Sequence, residues 1–318
     1  MTVRLGIVGA GRIARAHAAA AADLDGVELV AVADVDATTA EAFAREWGCS
    51  RSATSVGDIL PGLDGLIVCS PTGVHREHAL AAIGTGVGVL VEKPFARDPA
   101  EALTVIEAAD DAGVALVGAQ VLRHLPMFTW AREQIAAGVL GEPVQVIERR
   151  LVDRADNFPW WAELPAFLVS HWGSHSIDLL CDLLGDRAIE VLCQADSVRS
   201  AFGVIDDFGL QVRFASGARA VSVMSFSSRL QVHDLVIVGT DATLSFECFR
   251  SAALNGETVI ELPEQEMLDR GFAAQLADFV GALRGEPSLG AARSILPGLE
   301  ALHAAERSAL GAGLVRLE

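Results

Sequence analysis

The basic side chains of this sequence are almost all arginine, and tyrosine is missing altogether. Of the 24 basic residues one is lysine, Lys93, which leaves 23 arginines, and the tyrosine count is 0. A lysine amine is a compact charge whose pKa shifts readily, so a single lysine among arginines suggests a position that arginine cannot fill. Chance retention is the alternative. The absence of tyrosine excludes mechanisms that need a phenolic acid, including the Ser-Tyr-Lys chemistry of short-chain dehydrogenases.

An excess of positive charge and long apolar runs are also absent. The net charge of −18 and the isoelectric point of 4.8 argue against nucleic acid and anionic membranes as partners. No apolar run approaches the roughly 18 residues of a membrane span, and the strand-like start leaves no room for a signal peptide. The cysteines form no closely spaced pair, which excludes a zinc knuckle and a redox CxxC and predicts free thiols in the cytoplasm. They are Cys49, Cys69, Cys181, Cys193 and Cys248.

The first motif is a glycine-rich turn between a predicted strand at 3–8 and a predicted helix. It reads Gly9-Ala10-Gly11-Arg12-Ile13-Ala14. In such a G-x-G-x-x-A turn the first glycine permits the bend, the second lets the backbone approach a pyrophosphate, and the helix N-terminus offers N–H donors. Asp34 ends the second predicted strand, suits the ribose hydroxyls and favours NAD, although Arg12 keeps NADP possible. An ordinary glycine turn with a surface aspartate is the alternative.

Strands and helices continue to alternate up to about residue 119. This alternation predicts a parallel, doubly wound sheet, with ligands at the carboxyl ends of its strands. Two of these ends carry polar residues, Ser70-Pro71-Thr72-Gly73-Val74-His75 and Glu92-Lys93-Pro94. The later strands are predicted near 64–69, 87–91 and 114–119, and the helices near 38–46, 73–84 and 98–112.

Together these motifs resemble the glucose–fructose oxidoreductase and inositol dehydrogenase family, GFO/IDH/MocA. The resemblance depends above all on Glu92-Lys93-Pro94 downstream of the glycine turn, and it covers nearly the whole chain. It implies that Lys93 lies beside the nicotinamide and the reacting carbon, and that Glu92 lies near the nicotinamide ribose. The predicted cofactor contacts are Gly9, Gly11, Arg12, Ile13, Asp34, Ser70, Pro71, Thr72, His75, Glu92 and Lys93.

The position of Lys93 supports a catalytic role without the resemblance. An ammonium group at a strand end that faces a cofactor groove can hold and polarise a substrate oxygen. Partial burial would lower its pKa enough for proton exchange. A surface lysine before a helix-starting proline is the alternative. The Lys93–Pro94 bond can be cis, although most X–Pro bonds are trans.

From about residue 144 the pattern changes to strands that mostly follow one another without helices. We predict an α/β fold in which an N-terminal Rossmann domain, residues 1–121, precedes an α+β substrate-binding and oligomerisation domain, residues 122–318. The second domain has a mainly antiparallel open sheet, with helices on one face and a candidate subunit interface on the other. One late helix contains residues 272–283 and another begins near Pro297. The strands are predicted near 144–154, 189–197, 207–214, 218–226, 232–238 and 243–248.

Two histidines and an aspartate follow one another at helical spacing. On a helix, His171, His175 and Asp178 stand at i, i+4 and i+7 and share one face. The resemblance places His175 at the general acid/base position, where an imidazole that titrates near neutrality suits proton exchange. At position 171 many sugar dehydrogenases of the family have an aspartate that orients this imidazole. Here Asp178 is a candidate for that task, while His171 is a catalytic residue, a substrate contact or a structural histidine.

A metal site is the competing interpretation of the same residues. Two histidines four positions apart can share a metal ion, with Asp178 as a third ligand. The glutamate of an H-E-x-x-H motif is missing, however, because Trp172 stands in its place. We therefore predict no metal.

The candidate substrate contacts precede and accompany this helix. Trp160 and Trp161 offer aromatic faces on which a pyranose or cyclitol ring can stack, although one of them could belong to the core. Arg123, and either Arg149 or Arg150, could bind a carboxylate or phosphate, although surface charges are the commoner role. The predicted substrate contacts are Arg123, Trp160, Trp161 and Asp178.

These residues predict an oxidoreductase that uses NAD, with NADP possible. It would transfer hydride between the nicotinamide and a secondary alcohol or ketone of a sugar, polyol or cyclitol. Lys93, His175 and His171 are the predicted catalytic residues, and the protein is expected to be a homodimer or homotetramer. A non-catalytic dinucleotide sensor and a reductase of a conjugated or imine substrate are the alternatives.

Overall fold

The computed structural model describes residues 2–154, 166–199 and 203–318 and divides into two compact units. The first unit comprises Met1–His124 together with Asp269–Leu296, and the second comprises Leu125–Leu268 together with Pro297–Glu318. A late segment of the chain thus belongs to the first unit. The boundary of the folding domains after residue 121 stays a prediction.

The first unit is built on a six-stranded parallel sheet. Its strand order is β3-β2-β1-β4-β5-β6, the arrangement of a dinucleotide-binding doubly wound fold. Strands β1, β4 and β5 are almost wholly buried and, apart from Arg4 and Glu92, consist of apolar residues and glycine, as expected for a sheet covered on both faces. The strands are β1 Val3–Val8, β2 Val27–Ala33, β3 Arg51–Ala53, β4 Gly65–Val68, β5 Gly88–Glu92 and β6 Leu116–Ala119.

The register of this sheet places the predicted cofactor motifs in one row. Val8 pairs with Ala33 and Val68, and Val68 pairs with Val91. The residues that follow these positions therefore meet at the carboxyl edge of the sheet, where an open α/β sheet binds its ligand. They are Gly9, Asp34, Cys69 and Glu92.

The helices of the first unit begin and end at recognisable signals. The side chain of Asp36 accepts hydrogen bonds from the backbone N–H groups of Thr38 and Thr39 at the start of α2, and Gly48 ends that helix with a φ of 72°. The helices are α1 Arg12–Ala22, α2 Ala37–Trp47, α3 Val56–Ile59, α4 His75–Ile83 and α5 Pro99–Ala112, with 3₁₀ turns at Thr72–Val74 and Val121–His124.

The second unit is built on a nine-stranded sheet in which only β7 and β10 pair in parallel. Along β7 and β10 buried and exposed residues alternate, so that one face is covered and the other is open. The sheet order is β14-β13-β12-β11-β7-β10-β9-β8-β15. The strands are β7 Pro143–Asp153, β8 Ala188–Asp196, β9 Asp207–Phe214, β10 Arg219–Ser225, β11 Ser227–Gly239, β12 Thr243–Glu247, β13 Ser251–Leu254, β14 Glu257–Glu261 and β15 Val315–Arg316.

The remaining helices differ from the sequence-based expectation in two respects: the helix Pro126–Ala136 was not predicted, and the last helix begins earlier than expected. The last helix begins at Ala292 and contains Pro297, and Ala292 and Ile295, which precede the proline, are buried. The helices are α6 Pro126–Ala136, α7 Ser174–Leu184, α8 Glu264–Leu283 and α9 Ala292–Arg307, with π-helical turns at Val169–Gly173 and Ser308–Ala312.

The predicted fold class, a Rossmann-type parallel sheet followed by a mainly antiparallel sheet, is confirmed. All six strands predicted in the second half are present, whereas β13, β14 and β15 were not predicted. Among the described residues, no helix combines the length and apolarity that crossing a membrane requires.

Candidate functional site

The glycine turn has the geometry of a phosphate-binding loop. Gly9 has a φ of +89°, and a Cβ atom there would lie 2.6 Å from the backbone nitrogen of Ser70, so only glycine fits. At Gly11 a Cβ atom would meet no atom within 4 Å. The N-terminus of α1 has no side-chain cap, which leaves its N–H donors for a ligand. Both observations fit a dinucleotide pyrophosphate.

Asp34 lies beside the glycine turn. Its Oδ2 atom accepts a hydrogen bond of 2.8 Å from the backbone of Ala10, and its Oδ1 atom accepts one of 3.0 Å from the backbone of Asp36. Each carboxylate oxygen keeps a further lone pair, so the group can also accept from ribose hydroxyls. The next residue, Val35, is 93% exposed. These positions fit the predicted adenosine ribose site.

Glu92 is the last residue of β5, and its side chain is buried. Its Oε1 atom lies 2.9 Å from Nε2 of His17 on α1, and its Oε2 atom accepts a hydrogen bond of 3.0 Å from the backbone of Lys93. Burial alone would raise the pKa of Glu92, but the bond from His17 and the charge of Lys93 lower it overall. The lowered pKa favours the ionised carboxylate. The sequence analysis gave His17 no role.

Lys93 follows Glu92 at the carboxyl end of β5, and its side chain is half-buried. The Lys93–Pro94 peptide bond is cis. Lys93, the chain's only lysine, therefore comes directly after the row of residues at the carboxyl edge of the sheet, which includes Gly9, Cys69 and Glu92.

The segment after β4 also lies at the carboxyl edge of the parallel sheet. Its 3₁₀ turn at Thr72–Val74 leads into α4, whose first residue is His75. The buried His75 ring lies between two backbone carbonyls, with Nε2 2.7 Å from the oxygen of Ser70 and Nδ1 3.0 Å from that of Pro94. Burial lowers the pKa of His75, and bonds to these carbonyls offset part of that effect. A neutral imidazole has one N–H group, so His75 donates to one of these carbonyls and contacts the other.

The first histidine of the second unit lies in a π-helical turn. The turn spans Val169–Gly173 and precedes α7, and the ring of His171 stacks on Phe167 at a centroid distance of 5.1 Å. A π-helical turn bonds residues i and i+5, so it changes the angular spacing of side chains between 171 and 175. The expectation that His171, His175 and Asp178 share one α-helical face does not apply across this junction. Such turns often occur at functional sites.

His175 and Asp178 lie on the first turns of α7. His175 is half-buried, whereas Asp178 is 3% exposed. Asp178 packs against Gly298 of α9, where a Cβ atom would lie 2.9 Å from the Asp178 Cα atom. Gly298 is therefore a close-approach position that the sequence did not reveal.

A buried glutamate holds α7 against the sheet. Glu148 on β7 accepts hydrogen bonds of 2.7 Å from the hydroxyls of Ser176 on α7 and Ser222 on β10, and it lies 3.9 Å from Nε2 of His233. Burial alone would raise the pKa of Glu148, but His233 and the two serines lower it overall. The sequence analysis missed this network because its members are far apart in the chain.

The neighbouring arginines of β7 lie on opposite faces of the sheet. Arg149 is exposed and forms an ion pair with Asp234. The guanidinium of Arg150 lies 3.7 Å from the ring centroid of Trp172, and burial lowers the pKa of Arg150 to about 10. The charge of Glu148 offsets part of this effect. The two candidate anion contacts of the sequence are thus structurally different.

Arg123 lies in the first unit and is 1% exposed. Its guanidinium donates to the carbonyl oxygens of Leu289 and Ser294, at 3.2 and 3.1 Å, and to the Ser294 hydroxyl at 2.9 Å. These bonds attach the late segment of the unit to the end of β6. A buried arginine with these partners is placed to support the fold.

Trp160 and Trp161, two of the predicted substrate contacts, lie outside the described residues. In the part of the chain that the structure describes, no group of three His, Cys, Asp or Glu side chains could hold a metal ion.

The sequence and the fold match known proteins along most of the chain. Residues 3–119 match the family model GFO/IDH/MocA, described as an oxidoreductase family with an NAD-binding Rossmann fold, and residues 128–245 match the GFO/IDH/MocA C-terminal domain. The chain is 30% identical over 248 residues to a 1,5-anhydro-D-fructose reductase of Ensifer adhaerens, covering 76% of this chain and 74% of the relative.

Two further matches agree. An inositol 2-dehydrogenase of Rhizobium meliloti is 27% identical over 250 residues, 73% of each chain. An NAD-binding oxidoreductase from Klebsiella pneumoniae has the same fold, with a TM-score of 0.88, 23% identity and full coverage of both chains. The predicted family and the predicted NAD cofactor are confirmed: the chain belongs to the GFO/IDH/MocA oxidoreductases and contains their NAD-binding Rossmann fold.

Proposed function

We propose that the protein is an NAD-dependent dehydrogenase or reductase acting on a CH–OH group of a sugar, polyol or cyclitol. The observation that carries this proposal is the position of Lys93, the only lysine, at the carboxyl end of β5 in the NAD-binding unit. The named relatives, a reductase of an anhydro-sugar and an inositol dehydrogenase, support the substrate class.

Four features of the first unit would hold the dinucleotide. The open space at Gly11 and the uncapped start of α1 suit the pyrophosphate, and Asp34 suits the adenosine ribose. Ser70, Pro71 and Thr72 would line the groove, together with Arg12 and Ile13. Bound NAD supplies the hydride acceptor or donor, and the chain's own residues supply orientation and proton exchange.

We assign the chemistry at the substrate to Lys93 and His175. The Lys93 ammonium would bind the reacting oxygen and stabilise negative charge on it. His175 would take the hydroxyl proton in oxidation and return it in reduction, a role that suits an imidazole. His171 is proposed as a further catalytic group or substrate contact on the π-helical turn, and Asp178 as a residue that orients the start of α7.

The test is the single substitution Lys93→Arg. Arginine keeps the positive charge but not the compact amine, so we expect folding and NADH binding to persist while turnover falls about 10²–10⁴-fold. Far-ultraviolet circular dichroism, NADH fluorescence titration and initial rates measure the three properties. Full activity of this variant would overturn the assignment of Lys93.

The substrate screen uses sugars, polyols and cyclitols with NAD, and the matching ketones with NADH. Turnover of at least one member is the expected result. Binding of NADH without turnover of any compound would favour a dinucleotide sensor, and turnover of a conjugated or cyclic imine alone would favour the imine reductase.

We also propose that Arg150, rather than Arg123, contacts an anionic group on the substrate. Arg150 stacks on Trp172, the neighbour of His171, whereas the donors of Arg123 bind Leu289 and Ser294. Arg150→Gln should raise KM selectively for carboxylated or phosphorylated sugars. Arg149→Gln, on the open face, is the matched control. Equal KM changes for neutral and anionic sugars would contradict this assignment.

We propose a homodimer or homotetramer that buries the open face of the nine-stranded sheet. This face presents apolar side chains that are each 36–40% exposed, namely Ile147, Val221 and Val223. Ile147→Asp should lower the mass measured by light scattering, whereas Leu230→Asp, outside this set, should not. An unchanged mass in the first variant would exclude this face. We further propose a cytoplasmic location, which the free thiols support.

A further inference from the structure

The short segment that carries Lys93 contacts a buried histidine of the same unit at each end. At its start, Nε2 of His17 lies 2.9 Å from Oε1 of Glu92. At its end, Nδ1 of His75 lies 3.0 Å from the carbonyl oxygen of Pro94. His17 comes from α1 and His75 from α4, so the two contacts fix the segment to two separate helices.

The His17 contact reaches Lys93 through a single side chain. One carboxylate oxygen of Glu92 binds His17, and the other accepts the backbone N–H of Lys93 at 3.0 Å. A carboxylate accepts only, so Nε2 of His17 is the donor. The Glu92 carboxylate therefore connects α1 to the Lys93 backbone by two hydrogen bonds, one on each of its oxygens.

Packing alone does not explain a histidine at position 17. The ring is completely buried, it meets Phe272 edge to face at 5.6 Å, and its Nδ1 atom has no hydrogen-bond partner among the described residues. A buried polar atom without a partner is unfavourable, and an apolar side chain would avoid it. The bond to Glu92 offsets this cost, which ties the residue to the strand end rather than to the core.

We propose that His17 is a positioning residue that, through the Glu92 carboxylate, holds the backbone of Lys93 in the orientation that its amine needs. The inference rests on the proposed function, because it gives Lys93 a task that requires a fixed orientation. The groups around the carboxylate are His17 on α1, His75 on α4, Cys69 after β4 and Lys93 itself. Of these, His17 makes the direct side-chain contact.

The first measurement is a kinetic comparison of His17→Leu with His17→Gln. Leucine removes the donor and keeps the apolar packing against Phe272, whereas the glutamine amide can replace Nε2 as a donor to Glu92. We expect the leucine variant to lose about 30-fold in kcat because misorientation of a reacting group is costly. The loss is partial because the ring of His75 still contacts Pro94 at the other end of the segment. Glutamine should recover kcat to within about fivefold of the native value, with NADH affinity unchanged in both.

The second measurement follows the environment of the Lys93 side chain by NMR and does not require turnover. Since the chain has one lysine, protein grown with ¹³C-labelled lysine gives one Cε signal in an NMR spectrum. We expect a single narrow signal in the native protein and in His17→Gln, and a shifted, broadened or split signal in His17→Leu. If the leucine variant does not fold, His17→Asn replaces it, because its shorter amide does not reach Glu92.

The two measurements separate this inference from the proposed function. An unchanged Lys93 signal in His17→Leu, or equal loss of kcat in the glutamine and leucine variants, would overturn the positioning role. A changed signal with full turnover would support the positioning of Lys93 and overturn instead the catalytic role proposed for it.

Discussion

Both units contain a buried glutamate whose pKa is lowered, but the two carboxylates accept hydrogen bonds from different kinds of partner. Glu92 lies at a strand end, where its partners are His17 and the backbone of Lys93. Glu148 lies in the middle of β7, where its closest partners are the hydroxyls of Ser176 and Ser222. Burial opposes ionisation in both, and donors overcome it.

The different partners indicate that the two buried carboxylates stabilise different parts of the protein. Around Glu148 the donors belong to a helix and a neighbouring strand, so the carboxylate attaches α7 to the sheet. Around Glu92 they belong to a helix and to the segment that carries the candidate catalytic amine. Loss of Glu148 should therefore affect mainly stability, and loss of Glu92 mainly turnover.

The largest expected effect is on stability, in Glu148→Leu. Leucine leaves the buried hydroxyls of Ser176 and Ser222 without their acceptor, at about 1–3 kcal/mol each, so we expect the free energy of unfolding to fall by about 4 kcal/mol. Urea denaturation followed by circular dichroism measures it. Glu148→Gln keeps an acceptor oxygen and is the matched control, with an expected loss of about 1 kcal/mol. A loss of less than about 1 kcal/mol in the leucine variant would contradict the proposal that Glu148 attaches α7 to the sheet.

The next effect is on turnover, in Glu92→Gln. Glutamine keeps the size of the side chain but removes the charge beside Lys93, and we expect kcat to fall about 100-fold, equivalent to about 2.7 kcal/mol. Initial rates at saturating substrate measure it. Glu148→Gln should keep kcat within about threefold of the native value. Similar kcat losses in both variants would remove the distinction between the two glutamates.

The parts of this arrangement that could be predicted from sequence are those encoded locally. The glycine turn, Asp34 and Glu92-Lys93-Pro94 each follow a short apolar strand, and parallel pairing brings strand ends to one edge whatever the loop lengths. The succession of strands without helices in the second half likewise predicted a mainly antiparallel sheet with helices on one face.

The contacts made over long sequence distances could not be predicted in this way. The pairs His17–Glu92 and Ser222–Glu148 are each separated by more than 70 residues, and neither histidine nor serine carries a sequence signal for burial. The π-helical turn at Val169–Gly173 also changes the angular spacing of its side chains. The shared α-helical face predicted for His171 and His175 therefore does not apply.

The pH dependence of stability should be a smaller effect, with the same sign in both units. Burial lowers the pKa of His75 and His233, so the unfolded chain binds protons more readily and stability falls as the pH drops through the unfolded histidine value of about 6.5. The lowered pKa of Glu92 and Glu148 adds a second loss below the unfolded glutamate value of about 4.3. Glu306, whose pKa burial raises, opposes it.

Thermal unfolding at a series of pH values measures this dependence. Glu92→Gln and Glu148→Gln should each weaken the loss below the glutamate value. Each should also deepen the histidine part, because the carboxylates raise the pKa of His75 and His233, respectively. A melting temperature that does not fall further below the unfolded glutamate value of about 4.3 would contradict the assignment of both carboxylates as ionised in the folded protein.

The smallest expected effect separates the two serines that bind Glu148. Ser176→Ala and Ser222→Ala each remove one hydrogen bond and should each cost about 1 kcal/mol in the free energy of unfolding. Ser176 lies on α7 and Ser222 on β10, so only Ser176→Ala detaches the helix that carries His175. Amide hydrogen exchange should therefore speed up across α7 in Ser176→Ala and across β10 in Ser222→Ala. Faster exchange of α7 in both variants would mean that Glu148 stabilises the unit as a whole, and the attachment of α7 would then not be its specific task.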